Sequence, residues 1–398
     1  MSRIVEQFNK TVEIALKNDF YKNRVKKISE IKEINNFKTL QKADLLSLTV
    51  EEHLQGNTSL LYEYHESSGS TNVPLMTWFT KNDFMAYVKQ IDESPIQFHS
   101  KDIALIRFPY ALSVPAHTFT KTVHMHGGCI IHAGRGDANC SPEKVIDILM
   151  KTRATIFACN VQEAFLLGEI ARKKGCHLPD DFALRAICTA GELFTDSRKK
   201  RLEKLWGVPV YNFYGTTELG NLATTNKDAT LNTSKDHFYF EVLDENTGKE
   251  VPDGTKGILH VTTFSKECFP FIRFNTGDIV VRNKEVLQDT IQLKHFGRIT
   301  ERIECRGKKI TFGELQNEFL SMPEDVIGNF FRINKTLEEM ELVVESDYYN
   351  EISGKEINLN IDVPHRVTLV KKGTIMNLDS CINQKVIGKP QYIYINEN

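Results

Sequence analysis

Pro209-Val-Tyr-Asn-Phe-Tyr-Gly-Thr-Thr-Glu218 is the stretch whose reading decides the fold. Its first half, Pro209 to Phe213, is a short apolar run with β-branched and aromatic residues, which reads as a buried strand. Its second half sets Tyr214, Gly215, Thr216, Thr217 and Glu218 directly after that strand. A ring, a glycine, two hydroxyls and a carboxylate so placed can stack a base, let a phosphate approach the backbone and hold a magnesium ion. A turn in which Thr216 or Thr217 caps a following helix explains the same residues more plainly.

Towards the amino terminus the pattern repeats. Ser197 to Trp206 reads as a helix before Gly207, and Leu184 to Thr189 as a strand that runs into Thr189-Ala190-Gly191-Glu192-Leu193. Val161 to Lys174 is a helix stopped by Gly175, and Thr155 to Cys159 is a strand. Ser141-Pro142-Glu143 supplies a cap, a first-turn proline and an acid ahead of Val145, Ile146, Ile148 and Leu149, which starts a further helix. Alternation at these lengths predicts an α/β fold with parallel strands covered on both faces. Ligands of such sheets bind beyond the carboxyl ends of the strands.

Further upstream, Glu66 to Pro74 lies between the apolar runs Leu60–Tyr64 and Leu75–Thr80. Ser67, Ser68, Ser70 and Thr71 offer hydroxyls and Gly69 permits a sharp turn, so the loop can grip an anion. No lysine follows the glycine as in a nucleotide P-loop, and a flexible linker or hairpin turn is the plainer alternative. Between two short apolar runs, Tyr110 to Gly127 carries His117, His124 and His126. His124 and His126 share a face if this piece is a strand, the spacing of a metal pair, although a pocket-lining or satisfied core histidine is the commoner case. Ile4, Val5, Phe8, Val12, Ala15 and Leu16 predict an opening amphipathic helix.

Downstream of Lys235 the pattern becomes antiparallel. His237–Leu243 and Gly257–Thr263 alternate around turn clusters, and Phe271–Phe274 and Ile279–Arg282 flank Asn275-Thr-Gly-Asp278. Asp278 is placed either in a hairpin turn or against the two hydroxyls of a ribose. A boundary near Phe296 divides a large unit, residues 1–296, from a small α+β unit, residues 297–398. The first comprises parallel and mixed sheets with helices and a small β region.

The 398 residues are 41% hydrophobic and 26% charged, with a net charge of −2. That composition describes an ordinary globular chain and gives no reason to expect a nucleic-acid or membrane partner. The basic run Arg198-Lys-Lys-Arg201 reads as a solvated helix face. The first twenty residues lack an apolar core, so neither a signal peptide nor a membrane span is expected and the location is read as cytoplasmic. Eight cysteines without a C-x-x-C pair predict reduced thiols.

Taken together, SSGSTNVPLMTWFT, FYGTTELG, FPFIRFNTGD and GRITERIECRGKKITFGELQNEF resemble, in order and spacing, motifs of the acyl-adenylating superfamily. EVLDENTGKEVPDGTKGILHVTTF is similar to that family's connecting hairpin, and YALSVPAHTFTKTVHMHGGCIIHAGRG to the acid-pocket segment of its phenylacetate–coenzyme A ligase branch. The resemblance covers roughly residues 60 to 320. Asn72, Leu75 and Thr300 stand where the family commonly has glycine, lysine and the hinge aspartate.

The resemblance implies an adenylate-forming enzyme fold and ATP-dependent, Mg2+-assisted activation of a carboxylic acid, aromatic by analogy with the branch. The acyl group then passes to a thiol of coenzyme A or of a carrier protein's phosphopantetheine arm; the carrier is slightly preferred because the small unit lacks an obvious basic cluster. It implies that Ser67, Ser68, Gly69, Ser70 and Thr71 hold the outer phosphates, that Thr217 touches the α-phosphate and that Glu218 binds the metal. Gly191, Glu192, Tyr214, Gly215 and Thr216 enclose the nucleotide, and Asp278 and Arg298 fix the ribose. Tyr110, His117, Phe157 and Asn160 line the acid pocket, Thr300 is the hinge, and Lys389, or Lys385, is the adenylation lysine. A nucleotide-binding scaffold that has lost chemistry is the competing reading, motivated by Asn72 and Leu75.

Overall fold

A computed structural model describes residues 2–54, 58–67, 74–137, 139–226, 230–233, 236–264, 266–285, 290–351, 357–382 and 391–395. Helix α1 (Arg3–Ala15) starts where the Ser2 hydroxyl accepts from the Val5 amide, and it buries Val5, Phe8, Val12 and Ala15. Short helices α2 (Lys42–Leu46) and α3 (Val50–His53) follow. Strands β1 (Leu61–Glu66) and β2 (Met76–Thr80) form an antiparallel pair. At its open end the Ser67 hydroxyl accepts from the Leu75 amide at 2.8 Å.

Thr80 and Asp83 form a capping box that starts α4 (Lys81–Asp92). The β/α alternation then runs β3 (Ile103–Ile106), α5 (Val114–Met125), β4 (Cys129–His132), α6 (Pro142–Thr152), β5 (Ile156–Cys159), α7 (Val161–Lys173), β6 (Ala186–Ala190), α8 (Asp196–Trp206) and β7 (Val210–Thr216). Every residue of β5 and β6 is buried, as strands covered on both faces require. Strands β8 (Gly220–Thr225), β9 (Leu231–Thr233), β10 (Phe238–Leu243), β11 (Lys256–Thr263), β12 (Phe274–Glu285) and β13 (Thr290–Arg298) complete one sheet of order β10-β11-β12-β13-β9-β8-β7-β6-β5-β3-β4. Its β7-to-β4 half is parallel and its other half antiparallel.

After Arg298 the chain leaves this sheet. A hairpin of β14 (Ile303–Cys305) and β15 (Lys308–Ile310) leads to α9 (Phe312–Leu320), started by the Thr311–Glu314 capping box. Strands β16 (Phe331–Lys335), β17 (Met340–Ser346) and β18 (His365–Lys371), helix α10 (Leu378–Ile382) and strand β19 (Ile393–Ile395) follow. The four strands form a separate sheet of order β18-β17-β16-β19. Thr300 is exposed in the short 3-10 turn Ile299–Glu301 between the two sheets.

Several expectations are corrected. Tyr110–Gly127 contains a helix, so His124 sits in the last turn of α5 and His126 caps it, and the two share no strand face. No group of three or more metal-ligating side chains occurs among the described residues. No helix follows Thr217, because a turn leads straight into β8. Asp278 lies inside β12 rather than in a hairpin turn. The run Arg198–Arg201 is not a solvated face: Arg198, Lys199 and Arg201 are buried. Arg201 donates to the carbonyls of Leu320, Met322 and Ile327, each at 2.8 Å, and so anchors α8 to the segment after α9. Among the described residues no helix is long and apolar enough to cross a membrane.

Candidate functional site

The carboxyl ends of β5, β6 and β7 present Asn160, Gly191–Glu192 and Tyr214–Glu218 side by side, because these strands are parallel neighbours. Gly191 adopts φ +83°, a conformation that favours glycine, and a Cβ there would come within 3.0 Å of the Asn160 amide nitrogen. That nitrogen donates to the Ala190 carbonyl at 3.1 Å, while the Asn160 oxygen accepts from Arg135 at 3.0 Å. Beneath them the buried Glu163 pairs with Arg107 at 2.7 Å and Arg135 at 3.3 Å. Asn160 is thereby fixed at both ends of its amide.

Gly215 tolerates no side chain, since a Cβ would meet the Gly220 carbonyl oxygen at 1.9 Å. This close approach leaves backbone exposed at the strand end, where a phosphate can come near. The Thr216 hydroxyl accepts from the Leu219 amide at 3.2 Å and shapes the turn that carries Thr217. Glu218 is buried, and its main-chain carbonyl accepts from the Tyr87 hydroxyl. Its carboxylate has no hydrogen bond among the described residues. A hard oxygen donor left in this way suits Mg2+, which usually takes one or two carboxylates alongside substrate phosphates.

Asp278 is brought to the same place from the antiparallel half. Its Oδ2 accepts from the buried Tyr214 hydroxyl at 2.6 Å. Its Oδ1 faces His295 Nε2 at 3.6 Å and Arg298 Nε at 3.7 Å, ion-pair distances longer than a full hydrogen bond. Burial pushes the Asp278 carboxyl up, but His295, Arg298 and Tyr214 outweigh it and hold the group below the ordinary aspartate range. Burial and the neighbouring Asp278 push the Tyr214 hydroxyl well above its ordinary value, so it stays a donor. Oδ1 therefore retains acceptor capacity.

Glu192 is used differently. Oε1 accepts from the Gln162 amide at 3.1 Å, and Oε2 accepts from the Tyr392 hydroxyl at 2.9 Å and from Arg198 at 3.4 Å. Of the four residues expected to line an acid pocket, Tyr110 and His117 do border a cavity of about 420 Å3, together with Tyr62, Phe84, His124 and His132. His117 donates through Nε2 to the Tyr110 carbonyl at 2.8 Å. Phe157 is wholly enclosed in the core against Trp206, and Asn160 is not among the residues around this cavity. Ser67 holds the base of the Ser-rich loop. Ser68, Gly69, Ser70 and Thr71 lie outside the described residues, as do Lys385 and Lys389.

Three residues at or near the site escaped the sequence reading. Arg198 and Tyr392 meet at Glu192 from elements far apart in the chain, and no local motif marks either. Lys266 is buried with no hydrogen bond to its ammonium among the described residues, and it lies 4.1 Å over the Phe79 ring on β2. Burial holds its pKa below the ordinary lysine value. A lysine just ahead of the apolar run Cys268–Phe274 was the available signal.

Residues 9–265 match the family model described as AMP-binding enzyme. The chain is 26% identical over 331 residues to a phenylacetate–coenzyme A ligase of Thermus thermophilus, covering 77% of this chain and 72% of that one. It is 24% identical to a phenylacetate–coenzyme A ligase of Pseudomonas putida, covering 71% and 65%. The fold superposes on the crystal structure of 2-hydroxyisobutyryl-CoA ligase in the postadenylation state with a TM-score of 0.84 at 17% identity, covering 99% of this chain and 89% of that one. Against the same ligase in its thioesterification state the score is 0.69 over the same shares. With well over half of its length matching the family model, the chain belongs to the AMP-binding enzyme family.

Proposed function

We propose that the protein activates a carboxylic acid with ATP and transfers the acyl group to the thiol of coenzyme A. A carboxylate oxygen attacks the α-phosphorus, the bond to the bridging oxygen breaks, and pyrophosphate leaves with that electron pair. The thiol sulfur then attacks the acyl carbon, AMP departs, and the thiol proton is released. The observation that carries this reading is Asp278, buried beside Tyr214 with one carboxylate oxygen still able to accept, at the strand ends of a chain in this family.

In this reading Asp278 Oδ1 accepts from the ribose hydroxyls with Arg298 beside it, and Tyr214 and Gly191 flank the adenine. Gly215, Thr216 and Thr217 border the α-phosphate, and Glu218 holds Mg2+, which would neutralise phosphate charge. The Ser67–Thr71 loop is assigned to the outer phosphates and Lys389 to the reacting phosphoryl group, Lys385 being the alternative. Such chemistry needs alignment and charge neutralisation more than acid–base work.

The names of the sequence relatives support an aromatic acid and coenzyme A as acceptor. Tyr62, Phe84 and Tyr110, with the His117 imidazole, offer aromatic surface to a small acid in an open pocket that Glu63 and Lys121 also line. Acid-dependent incorporation of labelled pyrophosphate into ATP is the test, with benzoates and phenylacetates expected to outrun long fatty acids and amino acids. ATP binding without exchange across a broad acid panel would instead leave a nucleotide-binding scaffold. Thioester formation on free coenzyme A, with none on an added carrier protein, is the expected second result.

A further inference from the structure

We propose that Tyr392 is a positioning residue: by bridging Arg198 and Glu192 it clasps the small sheet to the nucleotide-side turn for adenylation, and the clasp opens before the thiol step. This rests on the two-step reading above.

Glu192 and Arg198 belong to the large unit and are set independently of Tyr392. The Gln162 amide holds Glu192 Oε1, and Arg198 donates to the Leu193 carbonyl at 2.9 Å. The two side chains face each other at 3.4 Å, both almost wholly buried. Tyr392 comes from the other sheet, one residue ahead of β19. Its ring stacks on Phe331 at 4.9 Å and 18° and tilts against Phe312 at 5.6 Å, so the hydroxyl is carried on a stiff aromatic stack of the small unit.

The hydrogen bonds have one consistent direction. Arg198 donates to the Tyr392 oxygen at 2.5 Å, and Tyr392 donates to Glu192 at 2.9 Å. The contact therefore fixes register as well as proximity, because a shift of the small sheet breaks both bonds. Separation leaves a neutral phenol on one side and an intact ion pair on the other, so no uncompensated charge is stranded and the clasp is reversible. Arg201 also grips the small unit, but through main-chain carbonyls after α9 and away from Glu192.

Two further observations give the clasp its place in the cycle. Glu192 directly follows Gly191 at the end of β6, within the nucleotide site. The arrangement that contains the clasp superposes better on the postadenylation state of 2-hydroxyisobutyryl-CoA ligase than on its thioesterification state.

The test is Tyr392→Phe in the full chain, which keeps the ring stack and removes only the hydroxyl. The kcat of acid-dependent pyrophosphate exchange should fall about tenfold or more, because both hydrogen bonds that the hydroxyl makes to charged groups are lost. The KM for ATP should stay unchanged, and thioester formation from supplied acyl-adenylate should be unchanged or faster. Amide hydrogen exchange should quicken in peptides covering 190–199 and 391–395 and remain as before in β5. Wild-type exchange kinetics in the variant, or an equal fall in both half-reactions, overturns the proposal. Should the wild-type protein exchange pyrophosphate with no acid, the two-step reading fails on its own. Amide exchange then still decides the clasp: unchanged protection around Glu192 refutes it, and selective loss supports it.

Discussion

Two tyrosines in this molecule, Tyr214 buried and Tyr392 half-buried, each donate to a carboxylate, and the two pairs are built for different tasks. Tyr214 and Asp278 both belong to the large sheet, on β7 and β12, and their 2.6 Å contact closes within one folded unit. Glu192 follows a strand of the large sheet and Tyr392 precedes a strand of the small one, and their 2.9 Å contact joins two units. Asp278 leaves one oxygen facing the His295 imidazole at 3.6 Å and the Arg298 guanidinium at 3.7 Å, with capacity to accept from a ligand. Glu192 has both oxygens engaged by an amide, a guanidinium and a phenol. Similar donor and acceptor pairs thus make a binding site in one case and a seam in the other. The number of acceptor positions left over separates them.

The strongest way to break this comparison is to remove Asp278. Asp278→Ala deprives the ribose hydroxyls of their acceptor, and two hydrogen bonds to a charged group, each worth about 1.5–3 kcal/mol, amount to a loss in ATP affinity of about a hundredfold or more. It also strips the buried Tyr214 hydroxyl of its partner, so the variant should unfold at lower denaturant. Titration calorimetry with ATP checks the first effect, and unchanged affinity would remove Asp278 from the site. Lys389→Ala tests the chemistry next to that binding. Acyl-adenylate formation should drop about a hundredfold, as when one preorganised electrostatic group is lost, with thiolation of supplied acyl-adenylate preserved. A defect confined to Lys385→Ala would move the assignment four residues back.

The Tyr214 side of the comparison was legible in the sequence and the Tyr392 side was not. Strand periodicity, Gly191, Gly215 and the Asn275–Asp278 cluster are local signals, and parallel pairing brings local signals at strand ends together automatically. Even so, the sequence leaves Asp278 either in a hairpin turn or against the hydroxyls of a ribose, because a glycine before an aspartate reads equally well as a hairpin. The seam depends on pairing at long range. Arg198 and Arg201 look like a solvated basic run until α9 and β19 cover them, and periodicity cannot show which face a later domain will bury. Asn160 and Phe157 stand apart from the cavity that Tyr110 and His117 border for a related reason: Asn160, just past β5, is locked by Arg135, and Phe157, within β5, points into the core.

Acid sharpens the comparison by loosening the platform under Asp278. His260 lies on β11, paired with Asn275 of β12, and burial pushes its pKa down to about 4. A histidine in the unfolded chain titrates at about 6.5, so the unfolded state takes up the proton first. Stability is therefore full above the unfolded value and declines as pH falls from there towards the folded one. At pH 5 the contribution is a loss of about 2 kcal/mol relative to neutral pH. His53, His65 and His237 are shifted in the same direction by burial, so the measurement is a difference. His260→Asn keeps a donor for the Ile258 carbonyl and cannot titrate, and its urea unfolding should lose less stability between pH 7 and pH 5 than that of wild type. Parallel pH dependence in the two proteins would refute the assignment.

The smallest expected effect compares the two hydroxyls directly. Tyr214→Phe removes one hydrogen bond inside a single unit, and the ring stays against His295 at 4.8 Å. Asp278 then keeps His295 and Arg298 beside it, so its charge is not stranded, and the net cost should be about 1.5 kcal/mol, the low end for a bond to a charged group. That cost should appear in the urea midpoint, because both partners lie in the sheet that unfolds as a unit. Tyr392→Phe removes two bonds, one from Arg198 and one to Glu192, across a seam that Arg201 continues to hold. Its large-unit ion pair survives and its aromatic stack on Phe331 is untouched, so the main unfolding midpoint should move less than in Tyr214→Phe. The order of the two midpoints is the decisive quantity. If Tyr392→Phe destabilises the large unit as much as Tyr214→Phe, the two sheets unfold together and the contact at Glu192 is part of one core. If it does not, the hydroxyl of Tyr392 governs where the small sheet sits and contributes little to whether the large sheet folds.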